Sequence, residues 1–117
     1  MGVIGDGAAL YTIQALWTAA HHRIPVTYVI CNNASYRILK INMLQYLGEA
    51  AAGRRFVAMD LTDPPLDFAR IAEAFGVRGQ RVEHPDDLAP ALRAALTAGE
   101  PALVDVVVDG AVGGMMV

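Results

Sequence analysis

The sequence predicts an α/β fold: a mostly parallel sheet flanked by helices. Three observations carry that prediction. Apolar runs alternate with segments of helical periodicity in the order β-α-β-α-α-β-α-β. Two of the runs, Ile24 to Cys31 and Pro101 to Val108, are nearly all apolar, interrupted in polarity only by Thr27 and Asp105. Such runs mark strands buried on both faces, as in a parallel sheet covered by helices. Hydrophobic residues make up 55% of the 117 positions, enough to fill a core in one domain.

Taken in order, the first strand is Gly2 to Gly5, cut short by the start of the chain, and Asp6-Gly7 follows as a turn. A helix is predicted from Ala8 to His22, with Leu10, Ile13, Leu16, Trp17 and Ala20 on one stripe. The strand Ile24 to Cys31 comes next and ends at Asn32-Asn33. A second helix spans Tyr36 to Leu47, and Gly48 to Pro65 is a long connection closing on Asp63-Pro64-Pro65. The third helix, Leu66 to Phe75, stops at Gly76, which suits a left-handed cap. Val77 to Glu83 reads as a strand, although two arginines and Gly79 count against it. In the last helix, Asp86 to Ala98, Leu88, Leu92 and Leu96 share a face, and Pro90 lies near the first turn, where amide donors have no helical partner. Pro101 to Val108 is the final strand, and Asp109 to Val117 is a trailing segment.

Composition removes several classes of function. A net charge of -3 without a basic run gives no electrostatic footprint for nucleic acid. No apolar stretch approaches the roughly 20 residues that cross a bilayer, and Met1-Gly2-Val3-Ile4 lacks the features of a secretory signal. A cytoplasmic location is the default expectation. The single cysteine, Cys31, lies inside an apolar run and reads as a packing residue.

Open sheets of this kind bind ligands at the carboxyl ends of their strands. Asp6-Gly7 and Asn32-Asn33 both follow directly on such ends. The 24 residues from Ala8 to Cys31 are the length of one helix plus one strand, which returns both clusters to the same edge. Gly5 and Gly7 let the backbone approach a bulky anion, and the amides at the start of the following helix favour negative charge. One carboxylate and side-chain amide oxygen suit magnesium, which takes few protein oxygens beside phosphate and water. Either cluster alone is an ordinary turn. Together they point to Mg²⁺ and a phosphorylated ligand.

Val3-Ile4-Gly5-Asp6-Gly7, the helix containing Gln14-Ala15-Leu16-Trp17, and Val29-Ile30-Cys31-Asn32-Asn33 resemble the cofactor motif of thiamine-diphosphate-dependent enzymes of the acetolactate synthase and benzoylformate decarboxylase family. The resemblance continues through Ser35-Tyr36-Arg37-Ile38-Leu39 and Leu66 to Val77. It implies that residues 1-117 are part of the diphosphate- and Mg-binding domain, truncated on its N-terminal side. It also implies that Asp6, the side chain of Asn33 and the backbone carbonyl of Ser35 are magnesium ligands, and that Gly5, Gly7 and Ala8 meet the diphosphate. Tyr11 and Tyr36 would line the cofactor, and Ile38 and Leu39 a substrate-facing wall. The family often has serine where Ala8 stands and glycine where Ala34 stands, so one phosphate contact and some loop freedom are lost.

The same resemblance implies a 2-oxo-acid decarboxylase or carboligase, acetolactate-synthase-like, working as a homo-oligomer. Its activating glutamate belongs to a pyrimidine-binding domain or subunit. Glu49, Glu73, Glu83 and Glu100 all read as solvated surface and do not replace it, so no catalytic residue is assigned within the chain and the chain alone is expected to be inactive. A non-catalytic assembly module that keeps the fold is the second reading. A generic nucleotide-binding domain fares worse, since neither Gly-x-Gly-x-x-Gly nor a P-loop lysine follows the first strand. His21-His22 and His84 sit at helix ends, Arg54-Arg55 in the long connection and Met115-Met116 in the tail, and each has a plain surface explanation.

Overall fold

In a computed structural model describing residues 1–51 and 55–111, four strands form one sheet. They are Gly2–Gly5 (β1), Thr27–Asn32 (β2), Arg78–Val82 (β3) and Ala102–Val107 (β4), all parallel and in the order β1-β2-β4-β3. Among the described residues five α-helices connect or flank them: Asp6–Ala9 (α1), Ala15–His21 (α2), Arg37–Leu47 (α3), Phe68–Ala74 (α4) and Pro85–Thr97 (α5). The two apolar runs of the sequence become the two central strands. Neighbouring side chains along β4 point to opposite faces. Leu103 therefore joins Ile30, Leu16, Phe68 and Ala72 under α2 and α4. Ala102 and Val104 instead join Val82, Ala91 and Ala95 under α5. Phe68 is completely buried, a burial that stabilises by about 2–3 kcal/mol.

The single helix predicted over Ala8 to His22 is broken. After α1, the N–H groups of Tyr11 and Thr12 donate to the carbonyls three residues back, and those of Ala15, Leu16 and Trp17 do the same at the entry to α2. Tyr11, Thr12 and Ile13 are aromatic or β-branched and lose side-chain freedom in a regular helix. Three-residue turns advance the face differently from 3.6-residue turns. Leu16 and Ala19 are consequently buried, whereas Trp17, expected on the inner stripe, is 54% exposed. A cavity of about 50 Å³ lined by Ile4, Ile13, Tyr28 and Leu103 remains beneath the break.

Other expectations shift by a few residues. β2 begins at Thr27, because Arg23 takes a left-handed φ of 52° and Ile24 stays exposed. α5 begins at Pro85, so Pro90 lies inside the helix rather than close to its first turn. Both Pro90 and Asp86, whose carbonyl loses its helical donor, are exposed to water. β3 is a strand despite Gly79, and Gly79 has a reason to be there. A Cβ on it would stand 2.1 Å from the Ala69 carbonyl oxygen, so only glycine lets α4 settle on this strand. α3 differs from the other long helix: it buries Lys40 and Ile41 but leaves Ile38, Leu39 and Tyr46 exposed.

Candidate cofactor site at the sheet edge

The pairing of β1 with β2 sets Gly5 beside Cys31. The residues that follow each strand, Asp6 and Asn33, thus meet at one edge, as the spacing predicted. Asp6 is 3% exposed. Its Oδ1 accepts the N–H of Gly7 at 2.8 Å, and its Oδ2 accepts the N–H groups of Asn33 at 3.1 Å and Ser35 at 3.3 Å. Among the described residues no lysine, arginine or histidine forms an ion pair with it. A carboxylate offers about four acceptor positions. Three N–H groups leave room for a cation.

The two asparagines work as consecutive side-chain turns. Asn32 Oδ1 accepts the N–H of Ala34 at 3.2 Å, and Asn33 Oδ1 accepts that of Ser35 at 3.0 Å. Ala34, between Asn33 and Ser35, has a φ of 53°, in the left-handed region. The long connection returns to hold this loop. Ser35 pairs with Asp60 in an antiparallel bridge, Tyr36 N–H donates to Met59 O, Leu61 N–H donates to Ala34 O, and Ser35 Oγ donates to Met59 O. Lys40, buried on α3, pairs with Asp60 and lies over the Phe56 ring.

A cleft of about 220 Å³ opens here, lined by Gly5, Asp6, Gly7, Ala8, Asn33, Ser35, Tyr36, Arg37 and Ile38. It collects seven of the eight residues singled out from the sequence. Tyr11 is the exception: it lies on the turn after α1, is 79% exposed, and is not among the residues lining the cleft. Ile38 lines the cleft at 62% exposure, and Leu39, also exposed, is not among the residues lining it. The helix expected to begin at Ala8 begins at Asp6 and lasts one turn. The Gly7 N–H, expected to face a phosphate, is occupied by the Asp6 carboxylate.

Three features were not read from the sequence. The Tyr36 ring packs against Gly7, where a Cβ would stand 2.6 Å from two ring carbons. The segment after β4 does not simply trail: Val108 N–H donates to Asn32 O, Gly110 approaches the Asn33 carbonyl too closely for any side chain, and Arg37 Nε donates to the Ala111 carbonyl. Asp105, read as an interruption of an apolar strand, is fully buried and bonds to Asn32. The remaining surface candidates stay on the surface: His21 stacks on Trp17, Glu83 pairs with Arg81, and Glu73, Glu100 and His84 are exposed. Arg54, Met115 and Met116, and the side chain of Glu49, lie outside the described residues. No group of three or more histidine, cysteine or acidic side chains gathers among the described residues, so any metal here relies on one carboxylate with neutral oxygens. No described helix is long and apolar enough to cross a membrane.

Comparison with known proteins agrees with the fold and the motif. Over 109 residues the chain is 41% identical to a provisionally named acetolactate synthase large subunit of Mycobacterium tuberculosis, covering 92% of this chain and 21% of that protein. It is 37% identical over 106 residues to benzoylformate decarboxylase of Pseudomonas aeruginosa, covering 91% of this chain and 19% of that protein. The solved thiamine diphosphate-dependent 4-hydroxybenzoylformate decarboxylase of Rhodococcus jostii RHA1 superposes with a TM-score of 0.81 at 36% identity, over 96% of this chain and 20% of that one. The chain therefore spans about a fifth of the length of these relatives. Residues 1–106 match the family described as thiamine pyrophosphate enzyme, C-terminal TPP binding domain, and to that family the chain belongs.

Proposed function

We propose that the chain binds thiamine diphosphate through a Mg²⁺ ion held by Asp6, the Asn33 side chain and the Ser35 backbone carbonyl, as the diphosphate-binding part, residues 1–117, of a 2-oxo-acid decarboxylase or carboligase. The observation that carries this reading is the state of Asp6: buried, bonded among the described residues only by backbone N–H groups, and with acceptor capacity left over beside a cleft. A buried carboxylate without a cationic partner is costly, and a magnesium ion supplies the missing charge. The Ser35 bridge supports the third ligand. It engages Ala34 O and Tyr36 N–H, while the N–H of Ser35 itself leaves toward Asp6. A residue's carbonyl in such a pair leaves on the side of its own N–H.

Gly5 and Ala8 would offer backbone to the diphosphate, and Tyr36 and Ile38 would wall the cleft. Bound there, the cofactor supplies an electron sink for decarboxylation of a 2-oxo acid. The chain's own share is to neutralise and orient the diphosphate. The activating glutamate comes from a pyrimidine-binding domain or subunit, within a homo-oligomer.

The test is calorimetric titration of the full chain with thiamine diphosphate, with and without Mg²⁺. Binding should depend on the metal, and Asp6→Ala should abolish that dependence, weakening affinity by about 100-fold. Metal-independent binding, or an unaffected Asp6→Ala variant, sinks the proposal.

A further inference from the structure

Asp105 lies in the central strand β4 with no exposure at all. Its Oδ2 accepts the N–H of Phe68 at 3.1 Å and Arg81 Nη1 at 3.0 Å, and its Oδ1 accepts Asn32 Nδ2 at 3.0 Å. Asn32 Nδ2 also donates to the Leu66 carbonyl at 3.3 Å. Two acceptors on that side fix which way round the Asn32 amide stands, and its Oδ1 must then face the loop. There it accepts the N–H of Ala34. Ala34 stands between Asn33 and Ser35, whose N–H groups both reach Asp6 Oδ2.

We propose that Asp105 is a positioning residue for the cofactor loop. Its carboxylate sets the polarity of the Asn32 amide, and the amide oxygen holds Ala34 left-handed so that Asn33 and Ser35 face Asp6. The loop's use in cofactor binding rests on the function proposed above; the coupling between Asp105 and Ala34 does not.

Donor counting gives a sharp consequence. In Asp105→Asn the new amide has one oxygen, and two donors, Phe68 N–H and Arg81 Nη1, compete for it against one from Asn32. The amide nitrogen of the new residue then faces Asn32, which must invert and turn its own nitrogen toward the N–H of Ala34. A donor now meets a donor, and the loop loses its anchor. Adding Asn32→Asp restores an oxygen at both ends: one accepts from the new amide, the other from Ala34. The Leu66 carbonyl stays without its donor, so the double variant remains less stable than the natural chain.

The experiment follows amide exchange of Ala34, relative to that of Val104, by NMR in the full chain, alongside calorimetry with thiamine diphosphate and Mg²⁺. In Asp105→Asn, Ala34 exchange and the dissociation constant should each rise by about tenfold, the equivalent of one hydrogen bond. The double Asn32→Asp/Asp105→Asn variant should return both to within about threefold of the natural values, with its melting temperature still low. Arg81→Met, which strips the same carboxylate of a partner without touching Asn32, should lower stability and leave Ala34 exchange and affinity unchanged. A merely structural role for Asp105 predicts the reverse: similar effects from both single variants and no rescue in the double. That result overturns the proposal. Should Asp105→Asn fail to fold, a scalar coupling across the hydrogen bond between Ala34 ¹⁵N and Asn32 ¹³Cγ in the unaltered chain supports it, and absence of that coupling overturns it. Failure of the natural chain to bind the metal-cofactor pair counts against the proposed function, and the exchange measurements still decide the coupling.

Discussion

Asp6 and Asp105 are both buried carboxylates near the carboxyl edge of one sheet, yet their negative charge is met in opposite ways. Asp105 has an arginine, an asparagine amide and a helix-start N–H around it, and its acceptor positions face inward among β2, β3 and α4. Asp6 has three backbone N–H groups, no cation among the described residues, and a cleft beside it. The contrast teaches how to separate a carboxylate that completes the fold from one that keeps acceptor capacity beside an open cleft. The first takes two side-chain donors and one backbone N–H from three other elements. The second is held by backbone N–H groups of its own turn and of the loop after β2, and keeps capacity in reserve. Arg81 reflects the same arrangement: its hydrogen bond with Glu83, and secondarily the charge of Asp105, push its guanidinium above its ordinary range against the opposing effect of burial.

Stability should follow that division. Asp105→Ala strands the Phe68 N–H, leaves Arg81 with Glu83 alone and the Asn32 amide nitrogen with the Leu66 carbonyl alone, and should lower unfolding free energy by about 2–4 kcal/mol. Asp6→Ala strands no charged partner, and the Ser35 N–H keeps Asn33 Oδ1 as an acceptor, so about 1–2 kcal/mol is expected. Urea unfolding of both variants measures the difference. An Asp6 variant as damaged as the Asp105 variant would erase the distinction between them.

The next effect is smaller and tests the cleft side alone. Gly7→Ala drives a methyl group into the Tyr36 ring, which should destabilise by about 1–3 kcal/mol. Adding Tyr36→Ala removes the obstacle, so the double variant should lose less than the sum of the two single losses. Additive thermal shifts would show that the ring does not rest on the glycine.

The contrast also explains what could be read from the sequence. The Asp6 side was legible because its parts are local: two short motifs, each at a strand end, separated by one helix and one strand. β2 and β4 were legible because a strand buried on both faces has no polar alternation to confuse. Asp105 was not legible as a partner of Asn32 and Arg81, because the pairing joins residues 73 and 24 positions apart. The evidence was present but scattered: an acid in one apolar run, and an arginine at the matching register of a neighbouring strand. Gly79 counted against β3 for a similar reason, since the backbone that requires it belongs to α4. The break at Leu10 to Gln14 escaped because an apolar stripe survives small changes of helical pitch, and only the exposure of Trp17 betrays the change of phase.

The smallest expected effect concerns the residue that joins the two carboxylates. Ala34 adopts a φ of 53°, a conformation that costs a residue with a Cβ roughly 1–2 kcal/mol. The Asn32 side chain offsets that cost by accepting the Ala34 N–H, and the Asp6 carboxylate holds the residues on either side. Ala34→Gly removes the steric term but gives the unfolded chain more freedom. Relief at a positive φ outweighs that entropy, so a net gain of about 0.5–1 kcal/mol is expected. In Asp105→Asn, where the loop has lost its anchor, the same glycine should no longer stabilise, because Ala34 is no longer forced into the left-handed region. Equal gains in both backgrounds, read from paired urea denaturation curves, would mean that the turn is set by the chain locally and that Asp105 has no hold on it.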